Sequence, residues 1–211
     1  PQADLDSFRE LFGIGPARTP GCGVFKGVYE VKPGCLVIFS GQGLREQCYW
    51  SLKAQPHMDS YPETVETVSF LLRDAVQRQM GSDVPVCSFL SGGVDSSVVT
   101  AIASNYLQLK GKHLNTFSFD YTHNDEFFQA NSFQPTRDRP YVDQVLSLYP
   151  LSHTYLECDE TTLADLLPEA VSSKDLPGMT DVDTSLMYFC SEVKKYNKVA
   201  LTGECADEIF G

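Results

Sequence analysis

VCSFLSGGVDSSVVT, residues 86–100, carries an apolar run that stops abruptly at Ser91-Gly92-Gly93. An acidic and hydroxylated cluster, Asp95-Ser96-Ser97, follows at once, and then the chain turns apolar again. The first run reads as a buried strand (84–90) and the second as a helix (96–107). Working outward, the alternation continues with strand 114–119, helix 140–148, strand 153–157, helix 161–171 flawed by Pro168, helix 184–196 and strand 198–202. Upstream, PETVETVSFLLRDAVQRQMG (62–81) sets Val65, Val68, Leu72, Val76 and Met80 three and four apart, one apolar helical face. Pro62 suits a first turn, Glu63 the positive end of the helix dipole and Gly81 its end. Strand and helix alternating across 84–202 is the sequence form of an α/β fold, a parallel sheet with helices on both faces. Ligands in such sheets bind beyond the carboxyl ends of the strands, at a switch point, so chemistry is expected in the loops after Leu90, Phe119, Glu157 and Thr202.

The loop 91–97 is neither GxxxxGK[ST] nor GxGxxG. Gly92 and Gly93 lack Cβ, so backbone N–H groups can approach a polyanion, and the hydroxyls of Ser91, Ser96 and Ser97 can donate to the same oxygens. A helix opening near Ser96 adds a favourable field. Asp95 would repel a phosphate by itself, but fits if Mg²⁺ lies between them, since that ion takes one or two carboxylates plus phosphate oxygens. The plain alternative is a glycine turn with Asp95 or Ser96 capping a helix; the whole string between strand and helix favours the phosphate site. Beyond the last strand, Glu204, Asp207 and Glu208 follow Gly203. Acidic loops are commonly just solvated, yet the strand-end rule brings this one near the first, making Asp95 and Asp207 a candidate Mg²⁺ pair.

The remaining sequence sets limits. Its 211 residues, 42% hydrophobic and 21% charged, suit an ordinary globular chain. A net charge of −12 argues against a nucleic-acid groove or an anionic membrane surface as partner, though not against a locally built nucleotide site. Seven cysteines without a CxxC pair, and four scattered histidines, give no zinc constellation and read as reduced thiols of a cytoplasmic protein. No stretch has the length of a membrane-spanning helix, and nothing N-terminal has the form of a signal peptide. Residues 1–56 are rich in Gly and Pro, with strand-like runs at 35–39 and 46–50 around Gly41-Gln42-Gly43, a β-hairpin with loops. That is a poor core by itself, so it reads as the end of a domain, with KAQPHMDSYP (53–62) as a linker.

SGGVDSS resembles the pyrophosphate-binding loop of the N-type ATP pyrophosphatases, which have an adenine nucleotide alpha hydrolase-like fold. VALTGECADEIFG (199–211) resembles the ALSGEGADElFGG segment of glutamine-dependent asparagine synthetases, and PARTPGCGVFKGVYEVKPG (16–34) resembles the tail of their glutaminase domain. Cys205 stands where the family commonly has glycine and Thr202 where it has serine; both changes keep the backbone groups. The resemblance implies a glutamine amidotransferase remnant at 1–56 and the first part of an ATP-pyrophosphatase domain at 57–211. It implies ATP and Mg²⁺, with the metal on Asp95 and Asp207 and with ATP contacts from Leu90, Ser91, Gly92, Gly93, Asp95, Ser96, Ser97, Phe119, Thr202 and Gly203. Of these, Leu90, Ser91, Phe119 and Gly203 would meet adenosine, largely through backbone. Glu204 would be the catalytic carboxylate that handles the attacking amine.

The implied reaction joins aspartate and glutamine-derived ammonia through an aspartyl-AMP, releasing AMP and pyrophosphate. The chain begins Pro1-Gln2-Ala3, without a terminal cysteine, so no glutaminase activity is expected of it, and a continuation past Gly211 is expected to carry a basic residue for the pyrophosphate. In SKDLPGMTDVDTSLMYF (173–189) the candidates for the substrate pocket are Asp181, Asp183 and Ser185, with helix capping by Asp183 or Thr184 the equal alternative. The aromatic and polar insertion 120–141 shields the site or merely packs a long loop. Two rivals stay open: another carboxylate-adenylating enzyme of the scaffold, such as a β-lactam synthetase, and an adenine-nucleotide-binding module without turnover. A homodimer is the assembly left open.

Overall fold

The computed structural model describes residues 1–132 and 134–210, and at 180 and 181 the backbone alone. Contacts divide the chain into two units, Pro1–Met58 with Pro168–Asp183, and Asp59–Leu167 with Thr184–Gly211.

The first unit opens with a helix that the reading of Gly, Pro and hairpin signals passed over, α1 (Leu5–Ile14). Its start is a reciprocal cap: the Asp4 carboxylate accepts from the Asp6 and Ser7 N–H groups at 3.1 and 3.0 Å, and the Asp4 N–H donates to Ser7 Oγ at 3.1 Å. Leu5, Phe8 and Phe12 at helical spacing were the overlooked signal. Strands β1 (Cys35–Ser40) and β2 (Gly43–Cys48) form an antiparallel hairpin running from Ser40↔Gly43 to Cys35↔Cys48. The second strand thus starts at Gly43 and ends at Cys48, not 46–50. The connection is the two-residue loop Gly41-Gln42, with Gly43 at φ 104° taking the backbone turn that side chains disfavour.

In the second unit α2 (Tyr61–Gln79) starts at Ser60, whose N–H and hydroxyl donate to the Glu63 carboxylate at 2.9 and 2.6 Å. Those donors hold the Glu63 carboxyl below its usual range. There follow β3 (Val86–Phe89), α3 (Val94–Gln108), β4 (Leu114–Tyr121), the short α4 (Asn124–Phe127), α5 (Arg139–Leu148) and β5 (Leu151–Cys158). Helices α6 (Glu160–Lys174) and α7 (Thr180–Val193), strand β6 (Val199–Leu201) and α8 (Asp207–Phe210) complete the chain.

The four strands are all parallel, in the order β5-β4-β3-β6. From β3 the chain winds outward through β4 and β5, then returns to lay β6 on the other side of β3. The winding reverses between β3 and β6, so the switch point lies at their carboxyl ends. Alternation along the strands gives two apolar layers. Val86, Leu114 and Leu201 pack with Val76 and Met80 at the end of α2 and Ala103 of α3. Cys87 and Phe117, with Phe119 and Ala200 partly buried beside them, pack with Phe189 and Val193 of α7. Helices therefore cover both faces.

Helix bounds also differ from the reading of the sequence. Helix α3 begins at Val94, with Gly93 as its cap residue, so Asp95 and Ser96 lie in its first turn and neither caps it. Helix α7 begins at Thr180, so Asp183 and Thr184 lie inside it and not at the position that precedes its first turn, and it ends at Val193 rather than 196. Helix α6 runs through Pro168, as expected, but ends at Lys174 rather than 171. Among the described residues no helix is long and apolar enough to cross a membrane.

Candidate functional site

A cleft of about 760 Å³ opens at the switch point, within the size range of small-molecule sites. Its walls are the ends of β3 and β4, the first turns of α3 and α5, and the segment 202–208. The two sequence motifs meet there. A Cβ added at Gly203 would lie 2.6 Å from the Ser96 nitrogen and 2.7 Å from the Asp95 carbonyl carbon, so only glycine lets the second loop rest on the first turn of α3. Gly92, at φ 84°, is equally constrained: a Cβ there would lie 2.9 Å from the Asp138 carbonyl oxygen. Its backbone is turned against the start of α5 and it does not line the cleft, whereas Gly93 does.

The serines divide their work. Ser96, 7% exposed, donates its hydroxyl to the Gly93 carbonyl at 3.2 Å and accepts from the Ser91 N–H at 3.2 Å. Ser91 Oγ lies 2.9 Å from Ser96 Oγ. With its single proton on Gly93, Ser96 accepts from the Ser91 hydroxyl and shapes the loop; Ser91, exposed and lining the cleft, donates to a ligand by turning its proton away from Ser96. Ser97 is bonded through its N–H to the Gly93 carbonyl at 3.1 Å, the first regular bond of α3, and does not line the cleft. Gly93 offers no side-chain oxygen to the helix start, so the dipole's positive end faces the cleft without a capping side chain. Leu90 is 1% exposed; its N–H donates to the Phe117 carbonyl at 2.9 Å and its carbonyl accepts from Ser118 Oγ. Leu90 can offer a ligand only the carbonyl's second lone pair.

Asp95, Glu204, Asp207 and Glu208 all line the cleft. Among the described residues neither Asp95 nor Asp207 is held in an ion pair, and no three His, Cys, Asp or Glu side chains are grouped as metal ligands. Two carboxylates on one cleft suit a hard cation that takes its remaining oxygens from phosphate and water, as Mg²⁺ does. Thr202 Oγ1 accepts from the Glu204 N–H at 3.4 Å, and Cys205 stands at φ 68°, where a side chain is strained.

Beyond the motifs, Phe89, Phe117, Phe119 and Phe189 give the cleft an apolar floor. Phe89 meets Phe189 at 4.6 Å, and Phe119 meets Tyr121 at 5.1 Å, edge to face. The far wall is polar. Asp120 accepts from Asn124 Nδ2 at 2.6 Å, and burial, together with the charge of Asp120, pushes the Asp138 carboxyl up. Arg139 pairs with Glu157 at 3.1 Å and lies 4.1 Å over the ring of Tyr155, whose hydroxyl donates to Asp143 at 2.8 Å. Burial and then that bond drive the Tyr155 hydroxyl upward. None of these polar residues was singled out in the sequence. Asp120 could have been found as the acid at the end of the strand after the glycine loop, and Arg139 as the opening of the next helix.

Ser185 is buried and shares a 3.2 Å hydrogen bond with the Tyr121 hydroxyl. Asp183 belongs to the segment grouped with the first unit and is ion-paired with Lys174. The Asp181 side chain lies outside the described residues.

Residues 67–211 match the asparagine synthase family. Over all 211 residues the chain is 49% identical to asparagine synthetase [glutamine-hydrolyzing] 3 of Bacillus subtilis, of which it covers 34%. It is 26% identical over 209 residues, 98% of its length, to putative asparagine synthetase [glutamine-hydrolyzing] 2 of Methanocaldococcus jannaschii, of which it covers 38%. The chain thus spans about a third of the length of these curated relatives. Among solved structures, an NAD+ synthetase from Burkholderia pseudomallei aligns with 73% of this chain and 67% of its own, at 15% identity and a TM-score of 0.40.

Proposed function

From the premise that the chain belongs to the asparagine synthase family, we propose that it forms the nucleotide end of an enzyme that amidates aspartate to asparagine at the expense of ATP. Residues 1–56 are then the close of a glutamine amidotransferase part and 57–211 the opening of the synthetase part. One observation carries the reading: Gly203 rests on Asp95 and Ser96, which sets the glycine loop and the acidic loop side by side at the sheet's switch point.

In the first step an oxygen of the aspartate side-chain carboxylate attacks the α-phosphorus of ATP, the bond to the β-phosphate breaks, and pyrophosphate leaves with the electron pair. Aspartyl-AMP results. The exposed Ser91 hydroxyl and the uncapped start of α3 stabilise the departing charge. Asp95 and Asp207 would hold Mg²⁺, which when bound neutralises pyrophosphate oxygens. Adenosine lies against Leu90, Ser91, Phe119 and Gly203, largely through backbone, over the aromatic floor. In the second step ammonia attacks the acyl carbon, AMP departs, and Glu204 takes the surplus proton from nitrogen. Glutamine hydrolysis elsewhere in the longer protein supplies the ammonia.

The test is aspartate-dependent exchange of pyrophosphate into ATP, in a protein carrying this chain at the length of its relatives. Exchange is expected with aspartate, and Asp95→Ala is expected to lower it roughly hundredfold or more. Exchange driven better by a different carboxylic acid would move the reading to another adenylating enzyme. Nucleotide binding with no acid-dependent exchange would reduce the site to a binding module.

A further inference from the structure

We infer that Arg139 is an oxyanion subsite of the cleft, binding a phosphate or carboxylate oxygen of a substrate. Six carboxylates line the cleft (Asp95, Asp120, Asp138, Glu204, Asp207 and Glu208), and Arg139 is the one basic side chain among the described residues that do. A site that admits a nucleotide polyphosphate and an acid must offset that repulsion somewhere. The inference rests on the adenylation reading only for the identity of the two anions.

Local structure gives an independent reason. Arg139 is the first residue of α5, where the helix field disfavours a cation. Asp138, in the position where an aspartate ordinarily caps a helix, makes no capping bond among the described residues. Two rules of helix ends are broken at adjacent residues, both on the cleft wall, as happens where a site overrides local preference. The guanidinium is also presented: Tyr155 supports one face, Glu157 takes part of its hydrogen-bonding fork, and 41% of the side chain stays exposed. The adjoining Asp138 carbonyl abuts Gly92, which ties this turn of α5 to the glycine loop.

The experiment compares wild type, Arg139→Gln and Arg139→Lys in a protein of the relatives' full length. Binding of ATP with Mg²⁺ and of aspartate is measured by calorimetry, and KM for each by pyrophosphate exchange. A rise of roughly ten- to hundredfold in the constant for ATP alone, partly restored by lysine, assigns the subsite to phosphate. The same rise for aspartate alone assigns it to carboxylate. Unchanged constants for both, or a lower kcat with an equally lowered melting temperature and no change in binding, overturn the inference. If the wild type binds nucleotide but exchanges nothing, the adenylation reading fails while binding still decides the role of Arg139.

A separate observation in the first unit carries a second inference: Cys35 and Cys48 form a dithiol that closes to a cross-strand disulfide. They face each other at the open end of the hairpin. The next residues outward are joined, the Tyr49 N–H donating to the Gly34 carbonyl at 2.9 Å, so the cysteine pair occupies a non-hydrogen-bonded position. Such pairs hold Cα atoms at about 4.5 Å, inside the range a disulfide requires. Both thiols are free, Cys48 exposed and Cys35 half-buried. The exposed Cys48 thiolate attacks glutathione disulfide and releases one glutathione thiolate. Cys35 then attacks the mixed disulfide at the Cys48 sulfur and releases the second glutathione, and the two protons of the cysteine thiols end on the two glutathione thiols.

Reduced chain is equilibrated in glutathione buffers of rising oxidation, alkylated and weighed. The expected result is a loss of two hydrogens and a tryptic pair joining the peptides on either side of Arg45, absent in Cys48→Ser. Full alkylation of both thiols at the most oxidising ratio, or linkage chiefly through other cysteines, overturns it.

Discussion

At Cys205 the backbone φ of 68° asks for a residue without a side chain, and a cysteine there bears a cost of about 1 kcal/mol. Cys205→Gly is accordingly expected to raise stability by about that amount, read as a higher urea midpoint with an unchanged slope. The resemblance alone treated this position as neutral because the backbone groups survive the exchange; the dihedral, which no sequence displays, makes it costly. Gly203 gives the opposite prediction. Its missing Cβ would fall 2.6 Å from a backbone nitrogen that has no freedom to yield, so Gly203→Ala is expected to cost roughly 1–3 kcal/mol and to depress pyrophosphate exchange with it. A stable, fully active Gly203→Ala protein would contradict the contact between the two loops. In the sequence this glycine looked like a ligand contact. Its packing role emerges only once β6 lies beside β3.

At the scale of the element, α3 and the loop before it were legible because a strand-length run, two glycines and a helical run stand in unbroken succession. The exact start was not, since Gly93 as cap leaves no side-chain signature and the reading shifted to the first serine. Ser96 serves the loop's architecture, bonding from its buried position to both Ser91 and Gly93. Ser96→Ala is expected to cost about 1–2 kcal/mol and to weaken nucleotide binding by loosening the loop, which calorimetry with ATP and Mg²⁺ would measure. Helix α6 tells the converse story. Pro168 reads as a flaw inside an expected helix, and the helix does continue through it, to Lys174. A proline there still removes one N–H donor, so Pro168→Ala is expected to stabilise by roughly 1–3 kcal/mol in urea unfolding. Helix α1 was readable from Asp4, Ser7 and the spacing of its phenylalanines, and was missed because neighbouring glycines and prolines dominated the reading.

For the molecule as a whole, strand order was the quantity the sequence withheld. Alternation announces a parallel sheet, but only the observed order β5-β4-β3-β6 says which two loops share a cleft. The polar wall of Asp120, Asp138 and Arg139 was hidden for the same reason, since its members come from separate elements. Stability across pH has a distinct source in His153. Its Nδ1 lies 2.9 Å from Thr116 Oγ1, its Nε2 is buried with no hydrogen-bond partner among the described residues, and burial lowers its pKa to about 4. Unfolded, the ring takes a proton near pH 6.5, so between that pH and about 4 the unfolded chain binds more protons and stability falls as pH falls. Between pH 7.5 and 4.5 the wild type is expected to lose about 1–3 kcal/mol more than His153→Gln in paired urea titrations. Equal losses would remove His153 as the cause.

The reversal between β3 and β6 also sets an order of events. Cys87 and Val199, 112 positions apart, touch in the finished sheet through the Cys87 thiol and the Val199 carbonyl at 3.4 Å. A chain leaving the ribosome delivers the glycine loop early and its acidic counterpart only after three further strands and, beyond α3, four helices have passed. Half a cradle waits, with its anion-attracting helix end open, until the last strand docks on the inner edge of β3. Closing so long a loop is the slow, entropically costly contact. Nucleotide capture by a nascent chain would therefore time the docking of that strand, and a ligand that bridges the two loops would act as a clasp on the final step of folding.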